Sequence, residues 1–237
     1  MKVRSLLFSA LMYLNFAFQA VIFSPVLLLP ERYGWVIAKF WASSTLWLHR
    51  TICGIDKRIV GTEYVLNTGC LVACKHQSTW ETLALALIFE RPSFIYKREL
   101  AWIPLYGWNI AKMGAIPVNR GKRGPALEAV AVRARQAVAE GRQVIIFPEG
   151  TRRPPGAEPT YRYGVTKLYT SIGAPCIPIA LNSGLFWPRR SLTHRPGTIT
   201  AHILPPIAPG LPPEEFAKRL QSEIESASNA LHAQANT

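Results

Sequence analysis

The feature that most constrains this chain is a long uncharged segment near its start. From Ser5 to Leu29 the sequence contains no Asp, Glu, Lys or Arg, while Lys2 and Arg4 lie just before it. A run of this length can cross a bilayer as one helix. A secretory signal peptide would share the basic start, but the run continues too far and Ala17-Phe18-Gln19-Ala20 is a poor cleavage site. We therefore expect either a membrane-spanning helix or a hairpin that enters one leaflet.

A second apolar segment runs from Tyr33 to Leu48 and is interrupted only by Lys39. Pro25 and Pro30 separate it from the first, because proline breaks a helix. Tryptophan favours the membrane–water boundary, and this segment contains Trp35, Trp41 and Trp47. We therefore predict a two-helix hydrophobic membrane anchor over residues 1–50.

The charge of the chain indicates an anionic partner. The formal net charge is +13 and the pI about 10.0, while hydrophobic residues make up 49% of the chain. The basic residues do not form blocks, and zinc-finger spacing and the RNA-binding aromatic signature are both missing. The composition therefore favours the surface of a phospholipid bilayer over nucleic acid. The four cysteines form no C-x-x-C pair, so we expect free thiols.

Residues 51–237 have the pattern of an α/β catalytic domain, in which strands alternate with helices. The predicted strands are Leu71–Cys74, Gly114–Val118, Val144–Phe147, Cys176–Leu181 and Thr198–Leu204. The predicted helices are Trp80–Phe89, Pro125–Gly141 and a C-terminal helix that begins at Pro213. We expect a mixed, largely parallel sheet flanked by helices.

The first block that could carry chemistry is Lys75-His76-Gln77-Ser78-Thr79-Trp80-Glu81, directly after a predicted strand. A histidine is the usual side chain for moving a proton near neutral pH. A carboxylate can fix its tautomer and stabilise the imidazolium. If a helix begins after the strand, His76 and Glu81 meet near its first turn. A histidine at a helix start beside a solvated glutamate is the alternative, and the spacing alone does not decide between them.

Two further blocks place polar residues at strand ends, where sites of α/β folds lie. In Ile146–Arg152, the backbone N–H groups of Gly150 and Thr151 could face an anion. In Ala115–Gly121, Arg120 is a candidate for a bidentate phosphate contact, and a solvated surface arginine is the alternative.

Taken in order, these blocks resemble those of the glycerolipid acyltransferases, most closely the bacterial 1-acyl-glycerol-3-phosphate acyltransferases. The matching blocks are His76–Glu81, Ile116–Gly121, Phe147–Arg152 and Cys176–Gly184. The resemblance covers roughly residues 69–184. The chain departs from the family pattern at one point, because Glu81 stands where the family usually has aspartate.

The resemblance implies transfer of a fatty acyl chain from acyl-CoA or acyl-carrier protein to lysophosphatidic acid. It implies that His76 is the general base, that Glu81 orients it and that Arg120 holds the phosphate of the lysophospholipid acceptor. The implied substrate-binding residues of the third block are Glu149, Gly150, Thr151 and Arg152. The thioester is a co-substrate, and neither a cofactor nor a metal is expected. The expected location is the bacterial inner membrane, with the catalytic domain on the cytoplasmic face.

Other functions fit the sequence less well. Glycerol-3-phosphate and a lyso-ornithine lipid are alternative acceptors. A non-catalytic membrane-binding protein would explain the apolar start and the charge but not the ordered blocks. A serine hydrolase would need a Gly-x-Ser-x-Gly elbow and a nucleotide-binding protein a P-loop, and the sequence contains neither.

Overall fold

A computed structural model describes residues 1–119 and 124–235. Within them, the strands are β1 (Ile55–Val60), β2 (Cys70–Cys74), β3 (Pro92–Lys97), β4 (Ile116–Val118), β5 (Gln143–Ile146), β6 (Cys176–Leu181) and β7 (Gly197–Ile203). They form one sheet in the order β1-β7-β6-β2-β5-β3-β4. All neighbours pair in parallel except β6 and β7, which pair antiparallel. The predicted mixed, largely parallel sheet is confirmed.

Helices cover both faces of this sheet. They are α1 (Lys2–Ile22), α2 (Glu31–Cys53), α3 (Trp80–Ile88), α4 (Tyr106–Lys112), α5 (Gly124–Ala139), α6 (Tyr163–Ile172), α7 (Ser183–Phe186) and α8 (Pro213–Ala235). Short 3₁₀ turns occupy Ser24–Leu28, Thr62–Tyr64 and Arg98–Trp102. The first three helices pack on one face, and α5, α6 and α8 on the other.

The central strand β2 is buried along its whole length. Because side chains alternate across a strand, Val72 points into the core beneath α2 and α3, whereas Leu71 and Ala73 point into the core beneath α5, α6 and α8. Parallel pairing with β5 and β6 brings the carboxyl ends of all three strands to the same edge of the sheet. The loops that follow these strands therefore meet, and they carry the first, third and fourth blocks.

The two N-terminal helices form a hairpin that turns at the prolines, as predicted. Polar groups join them, since Asn15 and Gln19 donate hydrogen bonds to Ser44 Oγ at 3.0 and 3.1 Å. Within the described residues, α1 alone is long and apolar enough to cross a membrane. Helix α2 is longer than the predicted apolar segment and runs past residue 50 to Cys53, because its last turns pack on the sheet.

Candidate active site

His76 and Glu81 lie where β2 passes into α3. His76 follows the strand, and Glu81 is in the first turn of the helix. The imidazole Nδ1 lies 2.9 Å from Glu81 Oε1. The carboxylate is 1% exposed and the imidazole 14% exposed. The structure thus brings together the two residues that the spacing had paired.

The carboxylate of Glu81 is fixed by more than the histidine. Its Oε1 also accepts the backbone N–H groups of Gln77 at 2.8 Å and Ser78 at 2.7 Å. Its Oε2 accepts the hydroxyl of Ser183, at the start of α7, at 2.9 Å. The first turn of a helix also favours a negative charge. Glu81 is therefore held in one position, which a solvated glutamate would not be.

These contacts determine which nitrogen of His76 can act as a base. Because a carboxylate can only accept a hydrogen bond, Nδ1 must donate to Glu81. That nitrogen therefore carries the proton, and Nε2 carries the lone pair. The ring is also held by stacking on Phe147, with centroids 3.9 Å apart and planes inclined by 17°. The imidazole thus presents an unprotonated Nε2 from a fixed position, as proton abstraction requires.

The third block turns sharply after β5 and surrounds His76. Gly150 has φ +66°, a left-handed conformation that favours glycine. The carboxylate of Glu149, one of the residues assigned to substrate binding, is instead buried and accepts the His76 backbone N–H at 2.8 Å. It also pairs with Lys75 at 3.0 Å. Burial raises the pKa of Glu149, and Lys75 opposes that rise.

Arg152, from the same block, and His76 line one cavity, which is described below. Burial lowers the pKa of its guanidinium, whereas the Glu81 carboxylate opposes this, and nearby Arg189 lowers the pKa further. Arg189 donates to Thr151 Oγ1 at 3.2 Å and to the Arg152 carbonyl at 3.1 Å. Arg152 and Arg189 together form a positively charged rim beside the imidazole. Sequence reasoning missed Arg189 because it lies beyond the fourth block.

The second block is described only in part. Its strand β4 pairs with β3 at the far edge of the sheet. Arg120, predicted to hold a phosphate, lies outside the described residues. Its role therefore stays a prediction.

A cavity of about 360 Å³ opens beside His76. Its wall comes from both N-terminal helices, α3, β3 and α4, and it is mostly apolar. The apolar lining includes Phe16, Ala20, Phe23, Val26, Trp35, Ile37, Ala38, Trp41, Leu83, Phe94, Tyr106 and Ile110. A cavity with this lining suits an unbranched hydrocarbon chain, and His76 and Arg152 are among its polar lining residues.

Among the residues that the structure describes, one group has the chemistry of metal ligands. His49, Cys53 and His194 are buried, and their ligand atoms lie within 4.8 Å of one another. The two imidazoles lie in hydrogen-bonding contact, His49 Nε2 to His194 Nδ1 at 3.1 Å, and thereby use nitrogens that would bind an ion. The rings also pack against Phe8 and Trp187. This cluster fastens the hairpin to the loop before β7.

Comparison with known proteins identifies the family. A family model described as an acyltransferase matches residues 57–182, which include His76, Glu81 and the third block. The chain belongs to the acyltransferase family. It is 37% identical over 196 residues to a 1-acyl-sn-glycerol-3-phosphate acyltransferase of Pseudomonas aeruginosa, covering 82% of this chain and 76% of that one.

More distant acyltransferases share the same core. A 1-acyl-sn-glycerol-3-phosphate acyltransferase of Cocos nucifera is 31% identical over 158 residues, covering 66% of this chain and 51% of the relative. The crystal structure of the 1-acyl-sn-glycerophosphate acyltransferase of Thermotoga maritima superposes with a TM-score of 0.81 at 22% identity, covering 98% of both chains. The N-terminal hairpin and the sheet thus belong to one shared fold.

Proposed function

We propose that this acyltransferase moves a fatty acyl chain from an acyl thioester to the free sn-2 hydroxyl of lysophosphatidic acid, giving phosphatidic acid. The thioester is acyl-CoA or acyl-carrier protein. The observation that carries the proposal is the His76–Glu81 pair beside an apolar cavity. The names of the related proteins from Pseudomonas aeruginosa and Cocos nucifera support the choice of acceptor.

His76 Nε2 takes the proton from the acceptor hydroxyl, and the hydroxyl oxygen attacks the thioester carbonyl. The resulting tetrahedral intermediate collapses, the carbon–sulfur bond breaks and the imidazolium returns the proton to the leaving thiolate. Glu81 stabilises the imidazolium between these two transfers, as a carboxylate does in other histidine-based sites. General-base assistance of this kind contributes about 10²–10⁴-fold. The acceptor hydroxyl is itself the nucleophile, so the reaction needs no acyl-enzyme intermediate.

The positive rim beside His76 serves the anionic headgroup. Arg152 lies beside the histidine, and the exposed guanidinium of Arg189 lies beside Arg152. Guanidinium groups recognise phosphate oxygens through paired hydrogen bonds. Arg120 supplies a further phosphate contact, and Gly150 and Thr151 shape the turn that positions this rim. Glu149 supports substrate binding by holding His76, whose backbone N–H its carboxylate accepts.

The apolar hairpin places the site at the surface of the bilayer. Large apolar side chains of α1 and α2 are exposed, among them Leu14, Phe18, Phe40 and Trp47. Basic residues add attraction to anionic lipid of about 1 kcal/mol for each Lys or Arg near the surface. The acceptor then stays in its leaflet while the soluble donor arrives from the cytosol. This arrangement fits the cytoplasmic face of a bacterial inner membrane.

The test is an assay of purified protein with labelled acyl-CoA or acyl-carrier protein against a panel of lyso-lipid acceptors. The panel contains lysophosphatidic acid, glycerol-3-phosphate and a lyso-ornithine lipid. We expect the highest kcat/KM with lysophosphatidic acid. Weak transfer to lysophosphatidic acid beside strong transfer to another acceptor would overturn the choice of substrate.

A further inference from the structure

We infer that Lys75 and Glu225 are positioning residues for His76, and that the C-terminal helix α8 thereby forms part of the active site. The inference rests on the proposed role of His76 as the base. It extends the site to a helix that lies outside residues 57–182, the part matched by the family model.

Lys75 is a buried cation one residue before the histidine. Its side chain is 4% exposed, and its Nζ lies 3.0 Å from Glu149 Oε1 and 2.6 Å from Glu225 Oε1. A buried charge is costly unless it is paired and hydrogen-bonded. The ammonium therefore joins the third block to α8, and the Lys75–Glu225 pair spans 150 residues of sequence.

Glu225 in turn is held by its own neighbours. Its Oε1 accepts the hydroxyl of Tyr161 at 2.9 Å, from the loop before α6. Burial and the Glu225 carboxylate raise the pKa of that phenol, so Tyr161 remains a donor. A second link from α8 runs beside it, since His232 Nε2 lies 3.2 Å from Gln77 Nε2.

The path from Glu225 to the imidazole is short. Glu225 pairs with Lys75, Lys75 pairs with Oε1 of Glu149, and Oε2 of Glu149 accepts the backbone N–H of His76. The other carboxylate, that of Glu81, accepts a hydrogen bond from Nδ1 of the same histidine. Both the backbone and the ring of His76 are therefore held by carboxylates. The position of one of these carboxylates, that of Glu149, depends on α8.

The network also sets the charge around the imidazole. The charged or titratable groups that interact with His76, or with the lysine and carboxylates that hold it, are Cys74, Lys75, Glu81, Glu149, Arg152, Tyr161, Glu225 and His232. The trio of Lys75, Glu149 and Glu225 has a formal charge of −1. While both carboxylates stay ionised, removing Lys75 makes the charge −2 and favours the imidazolium, whereas neutralising Glu225 makes it zero and disfavours the imidazolium.

The test is the pH profile of kcat/KM for acyl transfer by full-length variants. In such a profile the acid limb is the fall of kcat/KM at low pH, where His76 becomes protonated. We expect Glu225→Gln to move this limb to lower pH and Lys75→Met to move it to higher pH, each by about half a pH unit or more. The double variant restores the formal charge of −1, so its acid limb should return towards that of the wild-type protein. Each single variant should also lose about tenfold or more in kcat.

Matched controls separate this role from stability alone. Glu214→Gln makes the same charge change at an exposed position in the first turn of α8 and should leave the profile unchanged. Lys75→Arg keeps the charge, so its acid limb should stay in place. If Lys75→Met fails to fold, the direction of the Glu225→Gln shift decides the matter.

An acid limb that stays in place in well-folded Glu225→Gln protein would overturn the inference, as would a shift to higher pH. That outcome leaves the proposed function intact as long as the wild-type protein transfers acyl groups to lysophosphatidic acid. If the wild-type protein transferred none under any condition, the proposed function itself would fail first.

Discussion

The carboxylate beside His76 belongs to a glutamate. Its contacts explain how a side chain one methylene longer than that of aspartate can orient the histidine. From the second position of α3, Glu81 reaches back over the turn and accepts two backbone N–H groups besides the imidazole. The extra methylene is thus used to span the turn. Ser183 occupies the remaining oxygen, so the carboxylate has little freedom to leave the histidine.

Substitution of Glu81 tests this reading at a single residue. We expect Glu81→Ala to lower kcat by about 10³-fold or more, because the tautomer of His76 is no longer fixed. Glu81→Asp keeps the charge but shortens the reach, so we expect a loss of roughly 10- to 100-fold. Equal kcat values for the wild-type protein and both variants would show that Glu81 is a bystander.

Contacts in the site could be predicted from the sequence where the two residues are close along the chain. His76 and Glu81 are close along the chain, so their pairing followed from the expected strand and helix. The burial of Glu149 did not follow, because it depends on Lys75 and on Glu225 in a distant helix. The roles of Ser183 and Arg189 also arise only when β5 and β6 bring separate loops to one edge of the sheet.

At the scale of elements, apolar runs predicted the fully buried central strands well, whereas strands that carry charged or polar side chains were missed. Strands β2 and β6 are buried along their whole length, and the apolar runs marked both. Strand β1, Ile-Asp-Lys-Arg-Ile-Val, was missed because it lies at the edge of the sheet and exposes its charged side chains. Strand β3 and helix α4 were also missed, since each mixes polar and apolar residues without a clear period. Helix α6 was missed as well, although its buried Val165, Leu168 and Tyr169 recur at helical spacing.

The hairpin contributes the wall of the cavity, which a substitution on α2 can test. Ala38 lines the cavity, so Ala38→Phe should reduce the space for an acyl chain. We expect the preference among donors to move towards shorter chains, seen as a fall of about tenfold in the long-to-short ratio of kcat/KM. Val36 points outwards on the same helix and is exposed, so Val36→Phe should leave the ratio unchanged.

The contact between the hairpin and the domain should weaken in acid. Burial lowers the pKa of His194 from its ordinary 6.5 to about 4. The unfolded chain therefore binds a proton at higher pH than the folded one, so stability falls as the pH drops from 6.5 towards 4. The full effect is roughly 3 kcal/mol.

Urea unfolding of wild-type protein and His194→Gln in detergent, at pH 7.5 and pH 5, measures this effect. The variant should be less stable at pH 7.5, because it loses packing against Phe8 and Trp187. Its loss of stability on acidification should be smaller than that of the wild-type protein. An identical pH dependence in both proteins would contradict the assignment to His194.

At the scale of the whole molecule, the basic domain and the apolar hairpin should bind a bilayer together. Leu14 and Phe18 lie one turn apart on α1 and are 64% and 66% exposed. Replacing both with serine removes apolar contact with lipid at roughly 2 kcal/mol for each side chain. We expect at least tenfold weaker binding to anionic vesicles by co-sedimentation, with kcat on a short-chain, water-soluble acceptor unchanged. Equal vesicle binding would show that this face of α1 does not contact lipid.

The variant His76→Ala tests whether His76 is the base of an acyl transfer. The measurement is transfer of labelled acyl groups to lysophosphatidic acid, with folding checked by circular dichroism. His202→Ala, in the half-exposed strand β7, is the matched control. We predict a loss of at least about 10³-fold for His76→Ala and near wild-type transfer for the control. Retained transfer by well-folded His76→Ala protein would show that His76 is not the base.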